Sequence, residues 1–278
     1  IDLILLQLHF VIFIVDFMLL KNLTHKINRL IINISWTSVF KTMVNLIFPV
    51  GCAGCDLPDC VLCDDCTSMF KEWHKDPLIS VMCGNIYSCS TYVGFVRKSL
   101  LCWKDHSNQL LDKPFSYLVS RLIIKVISDY KNSYESNCKN TNENIIENLI
   151  IVPIPSSSKS QRKRGRKHMD PIAKYVSKNL KEYGINARVV KAIKMGKIKV
   201  KSVQVKGSRG RSLRTTKGFL VDTRIVPKGC KVILLDDIIT TGSTMKNCVE
   251  ALKDCGITVF ACFAIAGVWS KESVLYGL

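Results

Sequence analysis

The stretch Val232 to Met245, VILLDDIITTGSTM, constrains this chain more than any other part of it. Its apolar run asks for burial on both faces, as in a strand at the middle of a parallel sheet. A strand is expected over Lys231 to Leu235, ending at Asp236 and Asp237, with a six-residue turn over Ile239 to Thr244. A helix then runs from Ser243 to Cys255, Gly256 stops it, and Thr258 to Ala266 forms another buried strand. Upstream, Asn148 to Pro153 reads as a strand, Met169 to Lys181 as a helix and Ala187 to Ile193 as a strand. Near-continuous apolar strands alternating with helices define an α/β class with a mainly parallel sheet covered on both sides.

In open α/β sheets ligands sit beyond the carboxyl ends of the strands, where the Thr-rich turn falls. Backbone N–H groups of Thr240, Thr241, Gly242, Ser243 and Thr244, with their hydroxyls, suit a phosphate at a helix N-terminus. Gly242 lets the backbone approach without a side chain in the way. The acids Asp236 and Asp237 beside an anion cradle make sense if the ligand also carries vicinal hydroxyls, which carboxylates accept in pairs. The pattern therefore reads as a sugar-phosphate site. It is not a Walker loop, because no Gly-Lys-Thr follows. The bland alternative, acids that cap a turn ahead of a solvent-facing Thr run, leaves the apolar flanks without a purpose.

Charge and cysteine content add two constraints. The formal net charge is +18, and Ser156 to Lys217 holds 20 of the 40 Lys and Arg but only two acids, Asp170 and Glu182. One segment thus makes the chain basic, which favours a phosphate-bearing partner, DNA included. Few aromatics interleave these cations, so base stacking on single strands is not supported. Thirteen cysteines, an odd number, with five of them between Cys52 and Cys66, fit metal ligation in a reducing cytoplasm better than a secreted disulfide framework. Cys52, Cys55, Cys63 and Cys66 form C-x2-C-x7-C-x2-C, a spacing that brings four thiolates to one structural Zn²⁺. Cys60 is an alternative ligand, an iron–sulfur site an alternative centre, and clustered free thiols the plain alternative to both.

These segments together resemble the ComF family of type I phosphoribosyltransferase-like, competence-associated proteins. The resemblance rests on the Val232 to Met245 stretch, on VPIPSSSKSQRKRG from Val152 to Gly165, and on the cysteine knuckle ahead of them. It implies a twisted, mainly parallel sheet with a small hood, and phosphoribosyl pyrophosphate with Mg²⁺ as ligand. By that resemblance Asp236 and Asp237 hold the ribose hydroxyls and Thr240 to Thr244 the 5-phosphate. The loop from Pro155 to Lys159, with Ser156 and the nearby Arg162 and Arg164, faces pyrophosphate. It implies transfer of the phosphoribosyl group to an acceptor the sequence does not name, or a non-enzymatic adaptor in DNA uptake or processing built on the same fold. Two departures stand out. Arg164, Gly165, Arg166, Lys167 and His168 occupy the place of Arg-Gly-Phe-Asn-Gln, and the flap pattern survives only as Gln204, Ser208, Gly218 and Phe219.

The expected organisation is an apolar leader over 1–40, a zinc knuckle over 48–76 and a phosphoribosyltransferase-like domain over 83–278. The apolar run Leu3 to Leu20, interrupted by Gln7, His9 and Asp16, is expected to be upstream sequence or a poorly packed helix rather than a membrane anchor. The protein is accordingly expected in the cytoplasm. Between knuckle and sheet, Tyr87 to Phe95 reads as a strand, Val96 to Leu111 and Phe115 to Tyr130 as helices, and Lys131 to Glu147 as a loop. Lone histidines such as His74 and His106 are expected at surface or core positions rather than as ligands, and the scattered cysteines as small apolar residues.

Overall fold

The computed structural model describes residues 50–71, 73–77, 85–137, 148–196, 213–216, 218–227 and 229–269. The leader, a short helix-like stretch expected from Thr37 to Phe48, and the flap residues Gln204 and Ser208 lie outside the described residues.

Two long apolar strands organise everything else. Strands β8 (Lys231–Ile239) and β9 (Val259–Gly267) lie parallel at the centre of a six-stranded sheet of order β1-β2-β9-β8-β3-β4. The others are β1 (His74–Pro77), β2 (Asn85–Ser88), β3 (Asn148–Pro153) and β4 (Asn186–Val189). Every pairing is parallel except β1 with β2, which closes one edge. A second sheet, β5 (Ile193–Met195), β6 (Leu213–Thr216) and β7 (Phe219–Asp222), is antiparallel in the order β5-β7-β6.

Strand alternation divides the core in two. Ile233 and Leu235 of β8, with Leu149, Ile151 and Phe263, face a cluster built by three helices. These are α2 (Gly94–Lys104), α3 (Asp112–Asn137) and α5 (Met169–Glu182). Val232 and Leu234, with Ile150, Val152 and Cys262, face the opposite cluster, built by α6 (Ser243–Lys253) and by Ile193, Phe219 and Val221 of the small sheet. Burial on both faces is what the apolar runs demanded.

Several boundaries differ from expectation, each for a local reason. The strand expected over Tyr87 to Phe95 stops at Ser88, because Gly94, at φ 50°, opens α2 instead. The helix expected over Val96 to Leu111 breaks after Lys104, and Gln109–Leu111 is a separate 3-10 turn capped by the Asn108 side chain. Helix α3 runs on to Asn137, into the expected loop: residues 131–137 (KNSYESN) contain no Gly or Pro to stop it, and their mostly polar sequence carries no apolar period to mark them. The stretch Ala187 to Ile193 serves both sheets, β4 in one and β5 in the other. Strand β8 continues through the acid pair to Ile239, which shortens the six-residue turn to Thr240, Thr241 and Gly242.

The cysteine knuckle shares the body's core. After α1 (Asp64–Ser68), Phe70 is buried against Phe115 of α3, with ring centroids 5.5 Å apart, and Ala53 joins the same cluster. Among the described residues no helix is long and apolar enough to cross a membrane.

Phe70, 1 % exposed, is the largest apolar link between the two parts. Phe70→Ala is expected to cost roughly 3–5 kcal/mol of stability by cavity formation, read as a lower midpoint in chemical denaturation.

Candidate functional site

A cleft of about 580 Å³ opens at the carboxyl ends of β3 and β8. Asp236, Asp237, Thr240, Ser243 and Thr244 line it from one side, and Ser156, Ser157, Ser160 and Arg164 from the segment after β3. Tyr92, Ile154, Met195 and Phe219 supply apolar wall. Of the residues singled out in the sequence, Thr241 and Gly242 form the turn itself rather than the lining. The Thr241 hydroxyl lies 2.9 Å from that of Ser243, and Gly242, at φ 68°, sits where α6 begins without a side-chain cap. A left-handed backbone there suits glycine, and its carbonyl accepts the first helical bond from Lys246. Arg162 does not line the cleft. It is exposed on the outer side of α4 (Ser158–Arg164), beside a shallow hollow it shares with Gln161, Gly165, Arg166 and Lys167. The helical turn points it away from Arg164, which the flat spacing of a sequence does not reveal.

Because β8 is a strand through the acid pair, its alternation sends the two carboxyls to opposite faces. Asp237 falls on the side of α2 and α5, and Asp236 on the side of α6. Their surroundings differ accordingly. Asp237 Oδ2 lies 2.5 Å from Lys104 Nζ and 2.5 Å from His168 Nε2, and its Oδ1 accepts the Ile238 N–H at 2.7 Å. Burial alone would raise its pKa, yet the His168 hydrogen bond and the Lys104 charge outweigh burial and hold the carboxyl well below the usual carboxylate range. Asp236 accepts the Asp237 N–H at 2.8 Å. Burial, and then the charge of Asp237, push its carboxyl up to about 8.

Lys104 and His168 escaped the sequence reading. Lys104 ends α2 and lines the cleft, while His168 precedes the first turn of α5 and is 1 % exposed. The only signal was His168 standing in place of Gln in the pyrophosphate-loop pattern. The other expected ligand-side cation, Arg164, sits 3.6 Å from Asp105 and 3.4 Å from His168 Nδ1.

The four cysteines of the knuckle converge. The Sγ atoms of Cys52, Cys55, Cys63 and Cys66 all lie within 4.8 Å of one another, and three of the four residues are buried. The Cys63 N–H donates to Cys52 Sγ at 3.3 Å and the Cys66 N–H to Cys63 Sγ at 3.4 Å, the turns that aim two thiols inward. Burial opposes charge on Cys52, but backbone N–H groups of Cys55, Cys63 and Gly54 outweigh it and lower the thiol to about 6. Burial and the neighbouring thiols push Cys66 up. Four thiols in so small a space can hold a metal ion together, and this donor set fits tetrahedral Zn²⁺. Cys60 packs against this cluster without being one of the four, half-buried, with its thiol 3.5 Å from the Leu57 carbonyl. Gly54 is fixed by packing: a Cβ there would lie 2.6 Å from Cys66 Sγ. His74 instead bonds the Thr91 hydroxyl at 2.9 Å.

A family model described as "Phosphoribosyl transferase domain" matches residues 171–275, a span that contains the acid pair and the Thr-rich turn. The domain is of phosphoribosyltransferase type. The chain is 42 % identical over 40 residues to orotate phosphoribosyltransferases of Brucella ovis and Brucella anthropi, covering 14 % of this chain. It spans about a fifth (21 %) of the length of those relatives. Among solved structures it is similar to an adenine phosphoribosyltransferase with 12 % identity, 75 % of this chain and 92 % of that one covered, and a TM-score of 0.30. Adenine phosphoribosyltransferase of Saccharomyces cerevisiae follows at 13 % identity, with 72 % and 87 % covered and a TM-score of 0.28.

Two outcomes are expected. The purified chain carries about one zinc by elemental analysis; Cys63→Ser and Gly54→Ala reduce that content, whereas Cys60→Ser leaves it unchanged. Asp236, with its folded pKa raised above the unfolded value, contributes stability below about pH 4 that is lost as pH rises through about 8. Asp236→Asn is therefore expected to melt several degrees above the parent at pH 9 and close to it at pH 4, by differential scanning fluorimetry.

Proposed function

We propose that the cleft binds phosphoribosyl pyrophosphate with Mg²⁺, and that the protein is a cytoplasmic, ComF-like phosphoribosyltransferase with a zinc-bearing knuckle. The observation that carries this reading is the convergence of two unlike carboxyls, a hydroxyl-rich turn and a Ser- and Arg-bearing loop in one cleft. Its volume of about 580 Å³ suits a ligand of that size.

In this reading Asp236 and Asp237 accept hydrogen bonds from the ribose 2- and 3-hydroxyls. Thr240, Ser243 and Thr244 enclose the 5-phosphate at the start of α6, where the helix dipole favours an anion. Ser156, Ser157 and Arg164 face the pyrophosphate. Mg²⁺, when bound, neutralises pyrophosphate oxygens and is held mostly by the ligand and water. Displacement of pyrophosphate from C1 of ribose builds positive charge on the sugar and negative charge on the leaving group. A carboxylate kept ionised beneath the sugar and cations around the leaving group stabilise both.

The non-enzymatic DNA-processing adaptor is the second reading, favoured by the 20 Lys and Arg between Ser156 and Lys217. Several of these cations are paired with the protein's own acids, however. Arg164 faces Asp105, Arg166 makes two bonds to Asp112, and Lys191 pairs with Asp170 at 2.5 Å.

Calorimetric titration of the full, zinc-loaded chain with Mg²⁺ and phosphoribosyl pyrophosphate tests the reading. A micromolar Kd weakened at least about tenfold in an Asp236→Ala, Asp237→Ala double variant is expected, as two buried acceptors are lost. Absence of binding by the folded protein would sink the transferase reading, and a steep salt dependence of duplex-DNA affinity would then favour the adaptor.

A further inference from the structure

The acid pair is supported from behind by a buried histidine and the side chains around it, of which Arg164 also lines the cleft. His168 is buried and absent from the cleft lining, yet both ring nitrogens are engaged. Arg164 Nη1 donates to Nδ1 at 3.4 Å, which assigns the ring proton to Nε2, donated to Asp237 Oδ2 at 2.5 Å. The ring is pinned by the edge of Trp103, with centroids 5.0 Å apart at 76°. Trp103 is itself held: its Nε1 donates to Asp112 Oδ1 at 2.6 Å, and the Arg166 guanidinium lies 5.8 Å above its ring. Arg166 closes the circuit with bonds of 3.0 and 3.1 Å to the same Asp112. Thus α2, α3 and the segment before α5 all converge on one imidazole. Its one output is the carboxylate of Asp237, which Lys104 also holds.

Buried charged pairs add little net stability, and apolar packing usually serves that end as well. What this arrangement supplies is orientation: a carboxylate with Oδ2 held by two donors and Oδ1 by a backbone N–H has little rotational freedom. Asp236, whose carboxyl accepts a backbone N–H, serves as the contrast within the same site.

We propose that His168 is a positioning residue for ligand binding: through its Nε2–H it fixes Asp237 as an oriented acceptor, backed by Trp103, Arg164, Asp112 and Arg166. The inference deepens the phosphoribosyl pyrophosphate reading and rests on it for its ligand, though not for its carboxylate.

The donor can be exchanged without the ring. The Gln amide Nε2 reaches about as far as an imidazole Nε2, whereas Asn is too short and Leu has no donor. The zinc-loaded full chain and His168→Gln, His168→Leu and His168→Asn variants are compared at a temperature where each is folded. Two measurements are made on each: the Kd for Mg²⁺ with phosphoribosyl pyrophosphate by calorimetry, and the titration of the Asp237 carboxyl by ¹³C NMR. His168→Gln is expected to bind within about threefold of the parent, and His168→Leu and His168→Asn at least about tenfold more weakly, as fits loss of one charge-assisted hydrogen bond. The Asp237 titration is expected to move upward in the latter two and to stay in place in His168→Gln. A purely structural histidine would lower melting temperature in all three and leave affinity untouched, and that result overturns the inference. Should His168→Leu fail to fold, His168→Asn decides. If the parent itself binds no ligand, the functional reading fails and the carboxyl titration decides alone, an unchanged Asp237 overturning the inference and an upward shift supporting it.

Discussion

The structure turns on a carboxylate placed at the inner end of a buried strand. A strand with apolar neighbours on both faces offers no water to an ionised side chain, so Asp237 must find its partners within the protein. It finds them on two different elements, Lys104 at the end of α2 and His168 ahead of α5. That requirement ties three segments distant in sequence to one point beside the cleft.

The neighbouring Asp236 shows how little chemical identity decides. Two aspartates one residue apart, on opposite faces of the same strand, are driven in opposite directions, one held ionised and one pushed up to about 8. The split follows from the period of a strand and from which face carries the cations. A charged acceptor and a reluctant one therefore line the same cleft.

Much of this was legible in the sequence, for physical reasons. β3, α5, β8, α6 and β9 announce themselves because burial of whole faces imposes periods that survive without tertiary knowledge. The cysteine spacing likewise encodes a local geometry, and four thiols meet where it puts them. What the sequence concealed was choice of partner. Nothing near Lys104 in the chain points to an acid in β8, and His168 looked like a departure from a pattern rather than a donor. Arg162 and Arg164 appeared equivalent, yet a helical turn separates one from the cleft and commits the other to Asp105 and His168. The strand expected between Ala187 and Ile193 divides because a short run of chain can leave one sheet and enter another, which no period records.

The edge of the large sheet carries a consequence for how the chain comes into being. Strand β2 pairs with β9, and Trp269 donates its indole N–H to Ser88, residues 181 apart in sequence. During synthesis, therefore, the segment from Asn85 to Ser88 leaves the ribosome long before the strand it rests against has been made. Strand β1 is already made and can pair with one edge, but the edge that faces β9 waits unpaired until residues 259–267 emerge, an exposed edge of the sort that chaperones recognise. The cysteine knuckle, whose ligands all fall between Cys52 and Cys66, faces no such delay and can close on a metal while the rest of the chain is still being assembled.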